Sequence, residues 1–266
     1  MKTVVITGSA RGFGLAMAKF FREKNYNVVI CDINEEALKE AKEELNKIKS
    51  DSIILDYMVD ITNYDAVSMM IKSILEKVKI DIWINNAGVN QRNVPIWELE
   101  EKDINRLIDI DLKGTILCSN LIMKEFAKNN HGAIYNVEGY GSNDAKMLGL
   151  SIYGTSKRAI TYFTEALAKE VDTKKLNIQI GKITPGIMIT NFIHTSLGDG
   201  EKIELDEKTK NIYNILGDRP ETIAKFMVNK IDKNTKNNVK FTFLTSGRAS
   251  GRFIKALFGK KNNYFD

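Results

Sequence analysis

The segment that decides the fold covers residues 2–14 and reads KTVVITGSARGFG. The β-branched run at residues 2–7 is short, which is typical of a buried parallel strand. Glycines follow at positions 8, 12 and 14, and residues 15–24 are helical in composition. The segment therefore predicts a strand, a glycine turn and a helix in direct succession.

The glycine turn has the composition of a phosphate-binding loop. Glycines let the backbone turn sharply and let a pyrophosphate approach without a Cβ in the way, and the first N–H groups of the following helix then face the phosphates. A second predicted strand, residues 27–31, ends at Asp32. This acid lies roughly 20 residues beyond Gly14, where a dinucleotide fold places a carboxylate on the adenosine ribose. The alternative is a plain βαβ unit with a glycine turn.

Strand-like and helix-like stretches alternate along the rest of the chain. The further predicted strands are residues 52–59, 80–85, 132–137, 177–183 and 239–244. The further predicted helices are residues 35–49, 64–79, 103–128 with an interruption near Gly114, 153–171, and one that opens at Pro220. A polar, irregular stretch at residues 192–216 is predicted to be a lid. The pattern predicts one α/β domain over residues 1–266, a doubly wound parallel sheet (Rossmann fold) of about seven strands with helices on both faces.

A tyrosine and a lysine stand four residues apart in the sequence Tyr153-Gly-Thr-Ser-Lys157. In a helix this spacing places the phenol and the ammonium on one face, one turn apart. An ammonium near a phenol favours the phenolate, so the pair predicts a lowered pKa for Tyr153 and proton exchange with an alcohol or carbonyl oxygen. Many surface helices carry this spacing by chance, so the assignment depends on the rest of the chain.

Five motifs resemble those of the short-chain dehydrogenase/reductase family in order and spacing. They are Thr7-Gly8-x-x-x-Gly12-x-Gly14, Asp60-Ile61-Thr62, Asn85-Asn86-Ala87-Gly88, Tyr153-x-x-x-Lys157 and Pro185-Gly186-x-x-x-Thr190. Residues 136–142 (NVEGYGS) and 81–88 (DIWINNAG) are similar to the chlorophyll b reductase-like branch of that family. The resemblance covers nearly the whole chain, but substrate identity does not transfer with it.

The resemblance implies a cofactor site and a reaction. The expected cofactor-binding residues are Gly8, Ser9, Arg11, Gly12, Phe13, Gly14, Asp32, Asp60, Ile61, Asn86, Ala87, Gly88, Tyr153, Lys157, Pro185, Gly186 and Thr190. The expected reaction interconverts a secondary alcohol and a ketone or aldehyde, on a small-molecule substrate that is bulky and hydrophobic, for example steroid-like. Tyr153 exchanges the proton, and Lys157 holds the nicotinamide ribose. The alternative is a dinucleotide-binding sensor or scaffold with little catalysis.

One departure from the family pattern lies in the predicted long helix. Asp111 stands where the family usually has an asparagine that relays protons to the lysine. A carboxylate can still hold a water there, but it would tend to raise the pKa of Lys157. Asp111 is therefore expected either to support the relay, as a fourth catalytic candidate, or to cap a helix break.

A second departure concerns the hydroxyl that usually polarises the substrate carbonyl. Counting back from the catalytic tyrosine gives Tyr140, whereas alignment from the preceding strand gives Glu138 and Gly139. Ser142 is the preferred replacement, because the Gly-Ser arrangement recurs in the branch that the chain resembles. The alternatives are that Ser142 only shapes a turn, and that Glu138 reaches the substrate or pairs with a surface lysine.

The choice of cofactor depends on two charged side chains. Asp32 would accept hydrogen bonds from the 2′ and 3′ ribose hydroxyls and repel a 2′-phosphate, which favours NAD. Arg11 in the glycine loop favours NADP instead, because a basic residue there often neutralises the 2′-phosphate of that cofactor. NAD is expected, with NADP as the alternative.

Composition and charge exclude several classes of protein. The net charge of +5 is modest and diffuse, so no nucleic-acid partner is expected. Cys31 and Cys118 are isolated, which predicts neither a disulfide nor a metal site. Since the first strand follows Met1 at once and no signal or membrane-spanning segment is recognised, the cytoplasm is the expected location. The family resemblance implies a homodimer or a homotetramer.

The C-terminal segment, near residues 247–266, combines apolar and basic residues. Its apolar residues are Phe253, Ile254, Leu257 and Phe258, and its basic residues include Arg252, Lys255, Lys260 and Lys261. A basic amphipathic helix of this kind suits a membrane surface or a groove on a partner. The favoured interpretation is a helix packed over the substrate mouth or at a subunit interface.

Overall fold

The strands form where short β-branched runs precede turns. The computed structural model describes residues 1–189 and 205–265. The strands are β1 (Thr3–Thr7), β2 (Asn27–Asp32), β3 (Ile54–Met58), β4 (Ile82–Asn85), β5 (Gly132–Val137), β6 (Ile178–Thr184) and β7 (Val239–Thr242). They form one seven-stranded sheet in the order β3-β2-β1-β4-β5-β6-β7, and every pairing is parallel. The predicted doubly wound sheet is confirmed.

Helices connect the strands and cover both faces of the sheet. They are α1 (Gly12–Glu23), α2 (Glu35–Asn46), α3 (Tyr64–Leu75), α4 (Glu101–Leu107), α5 (Thr115–Asn129), α6 (Ser151–Thr173), α7 (Glu207–Leu216), α8 (Pro220–Asp232) and α9 (Ser246–Leu257), with a short 3₁₀ turn at Ile96–Glu98. Alternate residues of a strand point to opposite faces. Val4 and Ile6 accordingly belong to the core cluster that includes residues of α1, α2 and α8, while Val5 belongs to the cluster that includes residues of α3, α5 and α6. Within the described residues, no helix has the length and apolar character that crossing a membrane requires.

The strand order reverses between β1 and β4. In an open parallel sheet, ligands bind beyond the carboxyl ends of the strands at such a switch point. The segments that begin at Gly8, Asn86 and Glu138 follow β1, β4 and β5. The fold therefore gathers most of the predicted site residues along one edge.

The helical content differs from the prediction at two places. The predicted long helix is divided into α4 and α5 by a π-helical segment, Ile108–Gly114, which includes the expected interruption near Gly114. The predicted irregular stretch at residues 192–216 was wrong in its second half, because α7 occupies Glu207–Leu216. The Asp206 side chain caps α7 by accepting a hydrogen bond from the Thr209 N–H at 2.9 Å. Residues 190–204 lie outside the described part of the chain.

Candidate active site

The glycine loop turns sharply, as its composition predicts, and lies against Ala87 just after β4. Gly8 has φ +61°, and a Cβ there would lie 2.6 Å from the Ala87 Cα, so the position requires glycine both for its conformation and for the close approach. Gly12 has φ +58°, and a Cβ there would point into open space at the start of α1. Open space beside the free N–H groups of a helix start suits a pyrophosphate. The residues at this edge therefore fit a dinucleotide.

A network of hydrogen bonds ties the loop to the end of β4. The Asn86 side chain donates to the carbonyl oxygens of Thr7 and Gly8, both at 2.9 Å. The backbone N–H groups of Asn86 and Ala87 both donate to the Thr7 hydroxyl at 3.0 Å. These contacts fix the loop before any ligand binds, so Asn86 holds the loop in place through its side chain.

Two predicted cofactor residues direct their side chains into the protein. The Ser9 hydroxyl donates to the Ile6 carbonyl at 2.6 Å and accepts from the Cys31 N–H at 3.1 Å, and the Ser9 N–H also bonds the Cys31 carbonyl. The Phe13 ring, in the first turn of α1, is buried in the core. The polar groups of Ser9 are therefore committed to the fold. Phe13 has only backbone left to offer a phosphate.

The part of the edge beyond β2 and β3 carries two carboxylates. Asp32 ends β2, and its carboxylate accepts hydrogen bonds from the N–H groups of Ala10 at 3.3 Å and Ile33 at 2.9 Å. Asp60 is exposed and accepts from both the N–H and the hydroxyl of Thr62 at 2.8 Å. Its neighbour Ile61 is buried and packs within the core. Both carboxylates therefore lie where the motif spacing placed them.

Tyr153, Lys157 and Asp111 form a buried cluster at the same edge of the sheet. The Lys157 Nζ lies 2.8 Å from the Asp111 carboxylate and 5.3 Å from the centre of the Tyr153 ring. Asp111 is fully buried, and its other oxygen accepts a hydrogen bond from the Val89 N–H at 2.7 Å. A Cβ on Gly88 would contact both the lysine and the aspartate, at 3.4 and 3.3 Å. The pair is thus enclosed by the loop that follows β4.

The contacts of Asp111 distinguish between its two expected roles. The carboxylate, which lies in the π-helical segment, points at Lys157 and the Val89 N–H and caps no helix end. π-helical turns often occur at functional sites. The geometry therefore favours the expectation that Asp111 supports the lysine. A role in proton relay stays a prediction.

The pKa of Tyr153 differs in direction from the sequence-based expectation. Burial raises the pKa of the phenol, the Lys157 ammonium lowers it and the Asp111 carboxylate raises it again, so that the net pKa lies above the ordinary value. Burial alone would lower the pKa of Lys157, but Asp111 and Tyr153 outweigh burial and the net pKa is raised. The predicted lowering for Tyr153 was wrong, because sequence spacing reveals the lysine but not the burial.

The raised pKa gives a prediction for the cofactor-free protein. Tyr153 is expected to ionise only above the ordinary phenol value of about 10, so that it stays protonated at neutral pH. An ultraviolet titration of phenolate absorbance in wild type and Tyr153→Phe measures this, with circular dichroism as the control for folding. A phenolate that is present in wild type near neutral pH and missing from the variant would contradict the prediction.

Gly139 occupies the place where a catalytic hydroxyl would be expected from the strand alignment. A Cβ on Gly139 would overlap the Tyr153 hydroxyl and contact Lys157 at 3.1 Å. The phenol therefore packs directly on this backbone, and a side chain could enter only if the phenol moved. The sequence marked Gly139 only as a departure from the family pattern, whereas the structure shows its backbone beside the Tyr153 hydroxyl and the aliphatic part of the Lys157 side chain.

The three other residues near this position make contacts within the protein. The Ser142 hydroxyl donates to the Lys157 carbonyl at 3.4 Å and accepts from the Gly139 N–H at 3.2 Å. The exposed Tyr140 hydroxyl donates to a loop carbonyl at 3.2 Å. These contacts favour the turn alternative for Ser142, and its role as carbonyl polariser stays a prediction. Glu138 pairs with the half-exposed Lys240 at 2.7 Å, which was one of its two expected alternatives.

Gln91 is a site residue that the sequence analysis missed. Its buried Oε1 accepts the N–H groups of Ile152 at 3.0 Å and Tyr153 at 2.9 Å, in the first turn of α6. Since both partners are donors, the oxygen must face them, which fixes the amide orientation. Its Nε2 is buried without a hydrogen-bond partner among the described residues. No local signal could have revealed it, because the helix it caps begins far away in the sequence.

Replacing Gln91 with methionine is expected to weaken the start of α6. The variant keeps the side-chain volume but leaves two N–H groups without an acceptor, so the free energy of unfolding should fall by about 1 kcal/mol. Because Tyr153 lies in that turn, kcat should fall by roughly tenfold or more. Gln91→Glu is the matched control, since it retains an acceptor oxygen for both N–H groups. Equal stability and activity in the two variants would show that the contact does not position Tyr153.

The segment after β6 is described only in part. Pro185 is buried, and Gly186 has φ +82° and lies against Leu244. The backbone that follows pairs with the segment leading into α8, since the Ile189 N–H donates to the Asp218 carbonyl at 3.0 Å. Thr190, the last predicted cofactor residue, lies outside the described residues. Within those residues, no cluster of histidine, cysteine and acidic side chains suits a metal.

Comparison with known proteins decides the family. The sequence model of a family described as short chain dehydrogenase matches residues 2–199. The chain belongs to the short-chain dehydrogenase family. Membership identifies the protein as an oxidoreductase of the NAD(P)-binding Rossmann type, as the five motifs implied. Which dinucleotide it uses does not follow from membership.

Relatives in the short-chain dehydrogenase family differ in substrate. The chain is 30% identical over 244 residues to the probable chlorophyll(ide) b reductase NYC1 of Arabidopsis thaliana; the match covers 85% of this chain but only 47% of that protein. It is 32% identical over 192 residues to the 3-oxoacyl-[acyl-carrier-protein] reductase FabG of Chlamydia muridarum, covering 72% of this chain and 75% of the relative. The solved structure of ElxO with NADP bound has a TM-score of 0.77 at 26% identity, over 94% of this chain and 99% of that one.

Proposed function

We propose that the protein reduces a ketone or aldehyde to an alcohol, and catalyses the reverse reaction, with a nicotinamide dinucleotide. The observation that carries the proposal is the buried cluster of Tyr153, Lys157 and Asp111 at the same edge as the glycine loop. A bound NAD(P)H would supply the hydride to the carbonyl carbon. The two relatives named above are both reductases by name, which supports the reductive direction.

Each residue of the cluster has a defined task in this proposal. Tyr153 is protonated at neutral pH, and burial raises its pKa further; it donates its proton to the developing alkoxide oxygen. Lys157 stays charged, because Asp111 raises its pKa, and its Nζ is the group that would hold the nicotinamide ribose hydroxyls. Asp111 orients Lys157 through the 2.8 Å ion pair and is therefore a positioning residue. The exclusion of water strengthens these electrostatic interactions.

A bulky apolar substrate is supported by the surface around the site. Leu148 and Trp97 expose 93% and 82% of their surface. Trp97 follows β4 and Leu148 lies in the loop after β5, and the two segments meet at Gly149, where a Cβ would overlap the Asn93 side chain. Within the loop after β5, the Tyr140 hydroxyl donates to the Lys146 carbonyl. Exposed apolar residues around a reactive cluster suit a hydrophobic ligand. The proposed substrate is thus a large, mainly apolar carbonyl compound.

A second candidate function is a nucleotide-responsive binding protein with little catalysis. It is favoured by Gly139, which supplies no hydroxyl beside Tyr153, and by the bonds that occupy Ser142. A steady-state screen of ketones and alcohols with NAD(H) and NADP(H), run beside calorimetric binding of the same nucleotides, separates the two. The proposal expects turnover in the screen. Tight nucleotide binding without turnover of any carbonyl or alcohol would support the binding protein.

The preference between NAD and NADP follows from the charges at the end of β2. We propose NAD(H), because Asp32 would repel a 2′-phosphate. Arg11 favours NADP(H) instead, since it is exposed and forms no ion pair within the described residues. Asp32→Ala is expected to raise kcat/KM with NADPH relative to NADH by at least roughly tenfold. Adding Arg11→Ala should remove that gain. A wild type that is much more efficient with NADPH would show that Arg11 dominates.

A further inference from the structure

Helix α9 exposes the residues that a terminal helix would normally bury. Phe253, Ile254, Leu257 and Phe258 lie on one side of the helix by their spacing. Leu257 and Phe258 expose 84% and 77% of their surface, and no residue of α9 is fully buried. Within the described residues, the apolar side of α9 therefore does not pack against this chain. The favoured interpretation, a helix over the substrate mouth or at a subunit interface, stays a prediction.

Two arginines attach α9 to the domain instead. The Arg252 guanidinium donates to the Leu216 carbonyl at 2.8 Å and pairs with Asp218 at 2.6 Å. The Arg248 guanidinium lies 4.3 Å from the centre of the Phe243 ring and donates to the Phe243 carbonyl at 2.6 Å. The polar side of α9 thus faces the protein, which leaves the apolar side directed away from it.

The charge around the apolar side has one sign. Residues 246–263 contain no aspartate or glutamate. Lys255 and Lys260 are exposed and pair with no carboxylate among the described residues, and Lys261 donates to the Asn211 side-chain oxygen at 2.9 Å. A row of apolar side chains beside unpaired lysines matches the chemistry of an anionic lipid surface. A second copy fits less well, because a symmetric pairing of α9 would bring these lysines together.

We propose that α9 is a docking surface for an anionic lipid membrane. Leu257 and Phe258 enter the interface between headgroups and acyl chains, and the lysines contact the headgroup phosphates. Arg252 joins α9 to Asp218, whose backbone pairs with the segment that follows β6 at the candidate active site. Docking therefore brings that edge of the protein close to the bilayer. The inference goes beyond the proposed reaction and is tested without turnover.

Co-sedimentation of the full chain with vesicles tests the docking. We expect binding to phosphatidylcholine vesicles that contain phosphatidylglycerol, weakening as salt increases, and little binding to phosphatidylcholine alone. Replacing Lys255, Lys260 and Lys261 with glutamate should lower the affinity by roughly 100-fold. Phe253→Ser combined with Leu257→Ser should lower it by at least roughly tenfold. The matched control is Met58→Ser, an exposed apolar residue at the end of β3, the opposite edge strand of the sheet.

Folding, nucleotide binding and oligomeric state are measured on the same variants. Thermal unfolding and nucleotide binding should be unchanged in each of them, which shows that lost docking is not lost folding. Absence of wild-type binding to both kinds of vesicle, or equal binding by wild type and all variants, would overturn the proposal. The proposal would also be overturned if the variant with Phe253→Ser and Leu257→Ser dissociated from an oligomer in sedimentation velocity but still bound vesicles. The helix α9 would then be a subunit interface. A failure of the carbonyl screen leaves these results unaffected.

Discussion

Tyr153→Phe is expected to lower kcat by at least about 10²-fold while the affinity for the dinucleotide stays nearly unchanged. The variant removes the one hydroxyl that the proposed function assigns to proton transfer, and a positioned general acid typically contributes this much or more. The ring itself remains, so its packing on Gly139 and its position beside Lys157 are retained. Steady-state kinetics and calorimetric titration with nucleotide measure the two effects separately.

Tyr140→Phe is the matched control for this experiment. Tyr140 lies just after β5 and also carries a phenol, but it is partly exposed and its hydroxyl bonds a loop carbonyl. It should retain near wild-type kcat. If Tyr153→Phe turned over normally, or if Tyr140→Phe lost as much activity, the assignment of the proton donor would be wrong.

Lys157→Met is expected to affect both stability and activity. Asp111 is fully buried and is paired with Lys157 at 2.8 Å, so removal of the ammonium leaves a buried carboxylate without its partner. Breaking a buried ion pair in this way typically lowers the free energy of unfolding by about 3–5 kcal/mol. Loss of the group that holds the ribose should also weaken nucleotide binding and lower kcat. Urea unfolding and steady-state kinetics are the measurements.

Two further variants separate the structural from the catalytic part of that effect. Lys157→Met combined with Asp111→Leu removes both charges and should recover most of the lost stability without recovering activity. Lys182→Met is the control variant. It also breaks an ion pair, but the partner carboxylate, Glu165, is exposed and is solvated by water once the lysine is removed. A single Lys157→Met variant as stable as wild type would mean that the carboxylate gains no stabilisation from the pair.

The sequence allowed the fold to be predicted because its signals are local. The β-branched run before Gly8 predicts a strand and the glycines predict a sharp turn, and the structure confirmed both. The role of Asp32 toward the ribose stays a prediction. The five motifs also placed the tyrosine, the lysine and the glycine loop at one edge. Alternation of element types was sufficient to predict a doubly wound sheet.

The parts that could not be predicted depend on contacts between distant segments. The pKa of Tyr153 rises because the fold buries the phenol, and burial is not visible in a four-residue spacing. Gln91 caps α6 across a long sequence separation, and Glu138 forms an ion pair with Lys240, which is also distant in the sequence. The sequence of α9 predicts an amphipathic helix, but only the structure shows that Arg252 faces the domain and pairs with Asp218. Oligomeric state and cellular location stay predictions.

The most direct test of the central claim follows the hydride itself. The protein is incubated with a ketone found in the screen and with reduced dinucleotide deuterated at the transferring position of the nicotinamide, and the alcohol product is analysed by mass spectrometry. The proposed function predicts that the product carries one deuterium on the carbinol carbon with wild type, and that product is nearly absent with Tyr153→Phe. Alcohol that forms without deuterium, or equally with the variant, would contradict reduction at the Tyr153 cluster.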